Sequence, residues 1–168
     1  MLFRNMKTEV LSQNQILRIC NRFAFQIIEN LSENEDIFLV GIKENGFEIA
    51  KIIMNEIEKI SEKKVHISYI KINKKDPKNN LSSDIKTDNN FNNIFLIDDV
   101  LNTGKTLIYS ITFLLKLNIK SIKTLVLIDR NHKEYPVKID FKGISLSTNI
   151  DDNIKLIRDK KNLKAIIF

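Results

Sequence analysis

A chain of 168 residues has the length of one compact domain and can bury a core without disulfide staples or a structural metal. Hydrophobic residues at 43% and charged residues at 29% exclude a disordered or membrane-spanning class. The polar, charged segment Met1–Val10 lacks the apolar core of an export signal, so a cytoplasmic location is expected. A net charge of +6 suits polyanions, but lysine is dispersed along the whole chain and singles out no nucleic-acid partner.

Ser12 and Gln15 have capping-box spacing, and Ile16, Cys20, Phe23, Ile27 and Leu31 then recur on one face, which predicts a helix to about Asn30. Cys20 on that face is expected to be a buried thiol. Ile37–Val40 is a short apolar run ending at Gly41, and after Gly46 the residues Ala50, Ile53, Ile57 and Ile60 fall at helical spacing. These predict a strand, a glycine-bounded loop and a helix. Val65–Ile72 alternates as a strand does, with His66 as a structural residue within it. Asn73–Asn92 is polar, contains Pro77 and has no sustained period; a loop of that length in a compact domain suits a flexible lid. Ile94–Ile97 reads as a buried strand, followed by a helix with Leu107, Ile108, Ile111, Leu114 and Leu115 on one face. Leu125–Ile128, Tyr135–Phe141 and Ala165–Phe168 are the remaining predicted strands. Strands alternating with helices predict an α/β fold, one domain over residues 1–168, with a mainly parallel sheet flanked by helices and ligands at the carboxyl ends of its strands.

The chemistry concentrates in Ile94-Phe95-Leu96-Ile97-Asp98-Asp99-Val100-Leu101-Asn102-Thr103-Gly104-Lys105-Thr106. An apolar strand runs into two acids and then into a small polar turn that opens a helix. Backbone N–H groups and the positive end of the helix dipole can surround a phosphate there, and the threonine hydroxyls add donors. Gly104-Lys105-Thr106 looks superficially like the end of a nucleotide-triphosphatase P-loop, but that motif needs glycine where this chain has Asp99. Two carboxylates beside an anion seat would repel a bare phosphate. A ligand carrying both a phosphate and sugar hydroxyls removes the conflict, because carboxylates accept strongly from hydroxyls.

These residues resemble the phosphoribosyl pyrophosphate motif of type I phosphoribosyltransferases. Ile128-Asp129-Arg130-Asn131-His132-Lys133-Glu134-Tyr135-Pro136-Val137 further resembles a segment of one subfamily, the pyrimidine-operon regulators that double as uracil phosphoribosyltransferases. Val40-Gly41-Ile42-Lys43 resembles the start of that subfamily's pyrophosphate loop. The resemblance implies transfer of phosphoribose from phosphoribosyl pyrophosphate to a nucleobase, uracil first, within the type I phosphoribosyltransferase fold. It implies that Asp98 and Asp99 hold the ribose hydroxyls and act as catalytic residues, and that Asn102, Thr103, Gly104, Lys105 and Thr106 bind the 5′-phosphate. It also assigns pyrophosphate to Lys43, Glu44, Asn45 and Gly46, the lid charges to Lys74 and Lys75, and the base side to Ile128, Asp129 and Arg130. Mg2+ would arrive with the pyrophosphate, without direct protein ligands, and the partners implied are the substrate pair and a second subunit in a homodimer.

Departures from the resemblance are specific. Asn45 stands where the subfamily has an arginine, and an amide cannot make the bidentate phosphate contact of a guanidinium. On the face that binds RNA in the subfamily, Asn21 and Phe25 replace a threonine and a histidine, whereas His132 and Lys133 keep the basic pair. A nucleotide-sensing RNA-binding regulator with weak catalysis, and a phosphoribosyltransferase for purines, therefore stand as alternatives. A zinc site from Asp129, His132 and Glu134 is disfavoured, since one histidine among mobile carboxylates is a poor ligand set.

Overall fold

A computed structural model describes residues 7–73, 77, 81–86, 91–159 and 162–168. The chain order is β1 (Thr8–Leu11), α1 (Gln13–Glu29), β2 (Ile37–Ile42), α2 (Asn45–Ile60), β3 (Val65–Ile72), β4 (Leu81–Ser83), β5 (Phe91–Leu101), α3 (Lys105–Leu114), β6 (Ile119–Asp129), β7 (Phe141–Ser145), β8 (Ile154–Asp159) and β9 (Asn162–Ile167).

Six strands form the main sheet in the order β4-β3-β2-β5-β6-β7. All neighbours are parallel except β3 and β4. β2 and β5 are central and nearly continuous in apolar residues, as strands covered on both faces must be. On one face α1 and α2 bury Ile16, Phe23, Ile27, Ile49, Ile53 and Ile57 against Leu39, Phe95, Ile97, Leu125 and Leu127. On the other face α3 buries Leu107 and Leu114 against Ile94, Leu96 and Val126. The remaining strands make a separate antiparallel sheet, β1-β9-β8, which sits beyond the carboxyl ends of β2 and β5.

The Ser12 capping box forms: Ser12 N–H donates to Gln15 Oε1 at 2.8 Å, and Gln15 N–H donates to Ser12 Oγ at 3.4 Å. Cys20 is fully buried, and burial, helped by nearby Glu56, pushes its thiol up to about 12. His66 is the second residue of β3, bonded to Asp36 Oδ2 at 2.8 Å and stacked on Phe38 at 4.4 Å.

Several boundaries differ from the sequence-based expectation. β5 does not stop at Ile97; the ladder to β6 continues through Asp98↔Val126 and Leu101↔Asp129, so both acids lie within the strand. α2 starts at Asn45, one residue before the glycine thought to precede it. Leu115 is 67% exposed and caps α3, whose buried stripe is Leu107, Ser110 and Leu114. Tyr135–Phe141 is not a strand. Val137 N–H turns back to the Tyr135 carbonyl at 2.8 Å, and the ladder to β6 begins only at Phe141. The polar stretch after β3 carries β4, which folds back on Ile70–Ile72. Lys74 and Lys75, with much of the expected lid, lie outside the described residues.

Candidate active site

The carboxyl end of β5, from Asp98 onward, lines a cavity of about 260 Å3. Its walls come from Asn45, from Asp98 through Leu107, and from Ile154–Leu156 of β8. The parallel sheet thus opens at its carboxyl edge, as ligand sites in such folds do, and the small antiparallel sheet roofs the opening.

The turn after β5 is shaped by one glycine. Gly104 has φ +85, a left-handed conformation that L side chains avoid, and a Cβ there would lie 2.7 Å from Val137 Cγ2. Thr103 anchors the turn from behind, its carbonyl accepting from Glu134 N–H at 2.9 Å and Tyr135 N–H at 3.1 Å. Its hydroxyl accepts from Lys105 N–H at 3.2 Å. The first-turn N–H groups of α3 have no acceptor within the helix, and the helix dipole adds partial positive charge at the same place. Donors and partial positive charge gathered this way are able to seat a small anion.

Adjacent residues of a strand point to opposite faces, so Asp98 and Asp99 diverge. Asp98 Oδ1 accepts from Asp99 N–H at 2.9 Å, and Asp99 Oδ1 accepts from Val100 N–H at 2.8 Å. The other Asp99 oxygen accepts from Asn45 Nδ2 at 2.7 Å. The same Asn45 amide reaches the Leu156 carbonyl at 3.4 Å, tying α2, β5 and the roof together. Gly46 is packed so closely on β5 that a Cβ would collide with the Ile97 carbonyl. Just before it, the Lys43–Glu44 peptide is cis, and Lys43 Nζ lies 3.6 Å from the centre of the Tyr69 ring.

Residues 6–158 match the phosphoribosyl transferase domain. The chain belongs to the phosphoribosyltransferase family. Among relatives, this phosphoribosyltransferase is 35% identical over 162 residues to the bifunctional protein PyrR of Clostridium botulinum, covering 90% of this chain and 89% of that one. It is 31% identical over 170 residues to PyrR of Macrococcus caseolyticus, covering 96% and 98%. Its fold matches that of a hypoxanthine-guanine phosphoribosyltransferase from Bacillus anthracis with a TM-score of 0.73 at 16% identity, over 94% and 96% of the two chains. A hypoxanthine phosphoribosyltransferase from Trypanosoma cruzi, in complex with IMP, matches with a TM-score of 0.73 at 14% identity, over 96% and 95%.

The family's fold brings the expected residues together unevenly. Asp98, Asp99, Asn45 and the whole of Asn102–Thr106 line one cavity. Ile128 does not reach it with its side chain, which is wholly buried in the core. Asp129 is 2% exposed, bonded to Asn131 N–H at 2.9 Å and 3.8 Å from both Lys133 and Lys142. His132 turns inward, its Nε2 2.7 Å from the Thr148 carbonyl. Arg130 is buried and bonded to Asn102. The sequence reading missed Ile154, Lys155 and Leu156. Their buried–exposed–buried alternation is a strand signal, but nothing local says that this strand roofs the cavity.

Magnesium is tested by the donors present. Among the described residues the cavity offers two carboxylates and no histidine or cysteine, and no described cluster of three or more such groups can hold a metal alone. Hard oxygen donors few in number fit an ion that completes its shell with substrate oxygens and water.

Proposed function

We propose that this phosphoribosyltransferase moves phosphoribose from phosphoribosyl pyrophosphate to a ring nitrogen of a nucleobase, uracil in the first instance, with release of pyrophosphate. The observation that carries it is the acid pair and the glycine turn of Asn102–Thr106 lining one cavity of sugar-phosphate chemistry. The uracil preference is supported by the PyrR relatives at 31–35% identity, while the purine enzymes share only the fold.

In this assignment the turn holds the 5′-phosphate, far from the reacting carbon, and so anchors the substrate in register. As the bond to pyrophosphate breaks, positive charge grows on the ribose ring. Asp98 and Asp99 accept from the ring hydroxyls and lie where their negative charge favours that build-up. The N-terminus of α2 is assigned to the leaving group; Lys43, which lies on the Tyr69 ring, would serve it only by leaving that ring. Magnesium, held by the substrate's own oxygens with Asp98 or Asp99 available to its water shell, would neutralise part of the pyrophosphate charge.

A turnover panel of uracil, hypoxanthine, guanine and xanthine, following pyrophosphate release with magnesium present, tests the assignment. Uracil is expected to give the highest kcat/KM. Turnover of purines alone would replace the pyrimidine assignment, and no turnover with any base would point to the second candidate. That second candidate is a regulator that senses nucleotides and binds a pyrimidine leader RNA. The Asn45–Asp99 bond favours it, because an acid of the pair is already occupied by a neutral amide where a cation would serve turnover. Salt-dependent RNA binding that changes with nucleotide would support it.

A further inference from the structure

Arg130 is 6% exposed, and its guanidinium points into the protein. Nη1 donates to Asn102 Oδ1 at 2.8 Å, Nε donates to Thr148 Oγ1 at 3.0 Å, and Nη2 donates to the Asn149 carbonyl at 3.1 Å. These three acceptors are an amide, a hydroxyl and a carbonyl, none of them charged. A buried cation more often lies against a carboxylate. Here it is solvated by oxygens from two segments that are otherwise far apart in the sequence.

The first segment is the start of the anion seat. The second is the strap of residues 146–153, which leads from β7 to the roof strand β8. That strap is closed on itself just after it meets Arg130: Asn149 N–H donates to Asp152 Oδ2 at 2.8 Å, and Asp152 N–H returns to the Asn149 carbonyl at 3.2 Å. His132 grips it again, through the Thr148 carbonyl. The guanidinium fork is planar and rigid, so a shift of Asn102 is passed to Thr148 and Asn149 rather than absorbed. Its charge is not cancelled by any of the oxygens bonded to it, so its field extends to the neighbouring turn.

We propose that Arg130 is a positioning residue that couples occupancy of the Asn102–Thr106 turn to the placement of the β8 roof. The premise is the 5′-phosphate role given to that turn above. A phosphate drawing on Asn102 and on the positive field behind it sets the strap, and the strap sets Ile154–Leu156 over the cavity. Coupling is reciprocal, so a base held under the roof tightens phosphate binding by the same factor.

The test is hydrogen exchange of the full chain with ribose 5-phosphate as the probe, alongside titration of its affinity. In the unaltered protein, saturating ribose 5-phosphate is expected to slow exchange of strap and roof amides, residues 146–156, by about tenfold. Arg130→Lys keeps the charge without the three-way fork. It should bind ribose 5-phosphate within about threefold of the unaltered protein, yet at saturation leave the strap unprotected. Arg130→Gln should lose about tenfold in affinity as well as the protection. Thr148→Val keeps the Asn102 bond and removes one hydroxyl from the strap, so it should bind normally with reduced protection. Should Arg130→Gln not fold, the lysine and Thr148 variants decide the outcome. Protection that survives intact in both of these, or ribose 5-phosphate binding to the unaltered protein without any protection, overturns the coupling and leaves the phosphate seat standing. No binding at millimolar concentration overturns the seat and the coupling together.

Discussion

Two loops leave neighbouring strands of one parallel sheet, each opens a helix, and each contains one glycine, yet they are built to different ends. In Asn102–Thr106 the glycine supplies a left-handed bend, and the turn is braced from behind by Glu134 and Tyr135, so its helix N-terminus faces the cavity. In Lys43–Gly46 the glycine serves close packing on β5, and the side chains are spent on the protein itself. Asn45 bridges Asp99 and Leu156, and Lys43 lies on Tyr69. The same topology therefore yields an open anion seat in one place and a brace in the other. What separates them is whether side chains are satisfied behind the loop or across its mouth.

The largest expected effect falls on the residue where the two loops meet. Asp99→Asn keeps the shape and can still bond Asn45, but it removes the charge that the proposed mechanism places at the ribose. A fall of about a hundredfold in kcat/KM is expected, roughly 2.7 kcal/mol of transition-state stabilisation. Unchanged steady-state constants would mean that the acid serves the brace alone.

Next comes the open seat. Gly104→Ala must carry a Cβ at φ +85, 2.7 Å from Val137 Cγ2. It should lose about 1–3 kcal/mol in a urea melt and about tenfold in ribose 5-phosphate affinity by calorimetry. Normal affinity in a folded variant would show that the bend is not needed for the anion.

The brace can be converted. Asn45→Arg places a guanidinium at the mouth of the cavity beside Asp99, and pyrophosphate affinity in the presence of magnesium is expected to rise about fivefold. A fall would mean that the tie to Leu156 matters more than an added cation.

The smallest effect tests how far the brace extends along α2. Lys59, then Asn21 of α1, hold the Glu56 carboxyl below the ordinary glutamate range by hydrogen bonding to it. A carboxyl lowered in the folded state stabilises above its unfolded value, and that contribution disappears as pH falls through the folded value. Glu56→Gln should therefore cost less than about 1 kcal/mol at neutral pH. The gap between the melting curves should close as pH falls from about 5 to about 3. A gap independent of pH would assign the interaction to packing.

The parts legible in the sequence were those whose signal is local. α1 and α2 showed themselves by period and α1 also by its cap, and the strand–acid–turn segment by an apolar run that meets two acids and a glycine before a helix. The less legible parts depend on distant partners. Thr8–Leu11 and Ile154–Asp159 are short and half polar, and only β9, predicted for its last residues, makes them strands. Tyr135–Phe141 has the composition of a strand but starts behind the Thr103 turn, where Tyr135 N–H serves the Thr103 carbonyl and Val137 N–H turns back to Tyr135 instead of joining a ladder. Asp98 and Asp99 belong to the ladder because β6 continues beside them. His132 and Arg130 were seen as a motif, but their direction, inward to Thr148, is set by a strap that no local pattern announces.

The roof joins the two ends of the described chain, with Thr8 opposite Ile167 and Ile154 opposite Ile167 on the other side. During synthesis the main sheet has all its strands once Ser145 has emerged, whereas β1 must wait for β9, its partner, about twenty residues later. A nascent chain thus passes through a stage with a complete main sheet and an uncovered cavity, and the core residues Ile154, Leu156, Leu163 and Ala165 arrive last.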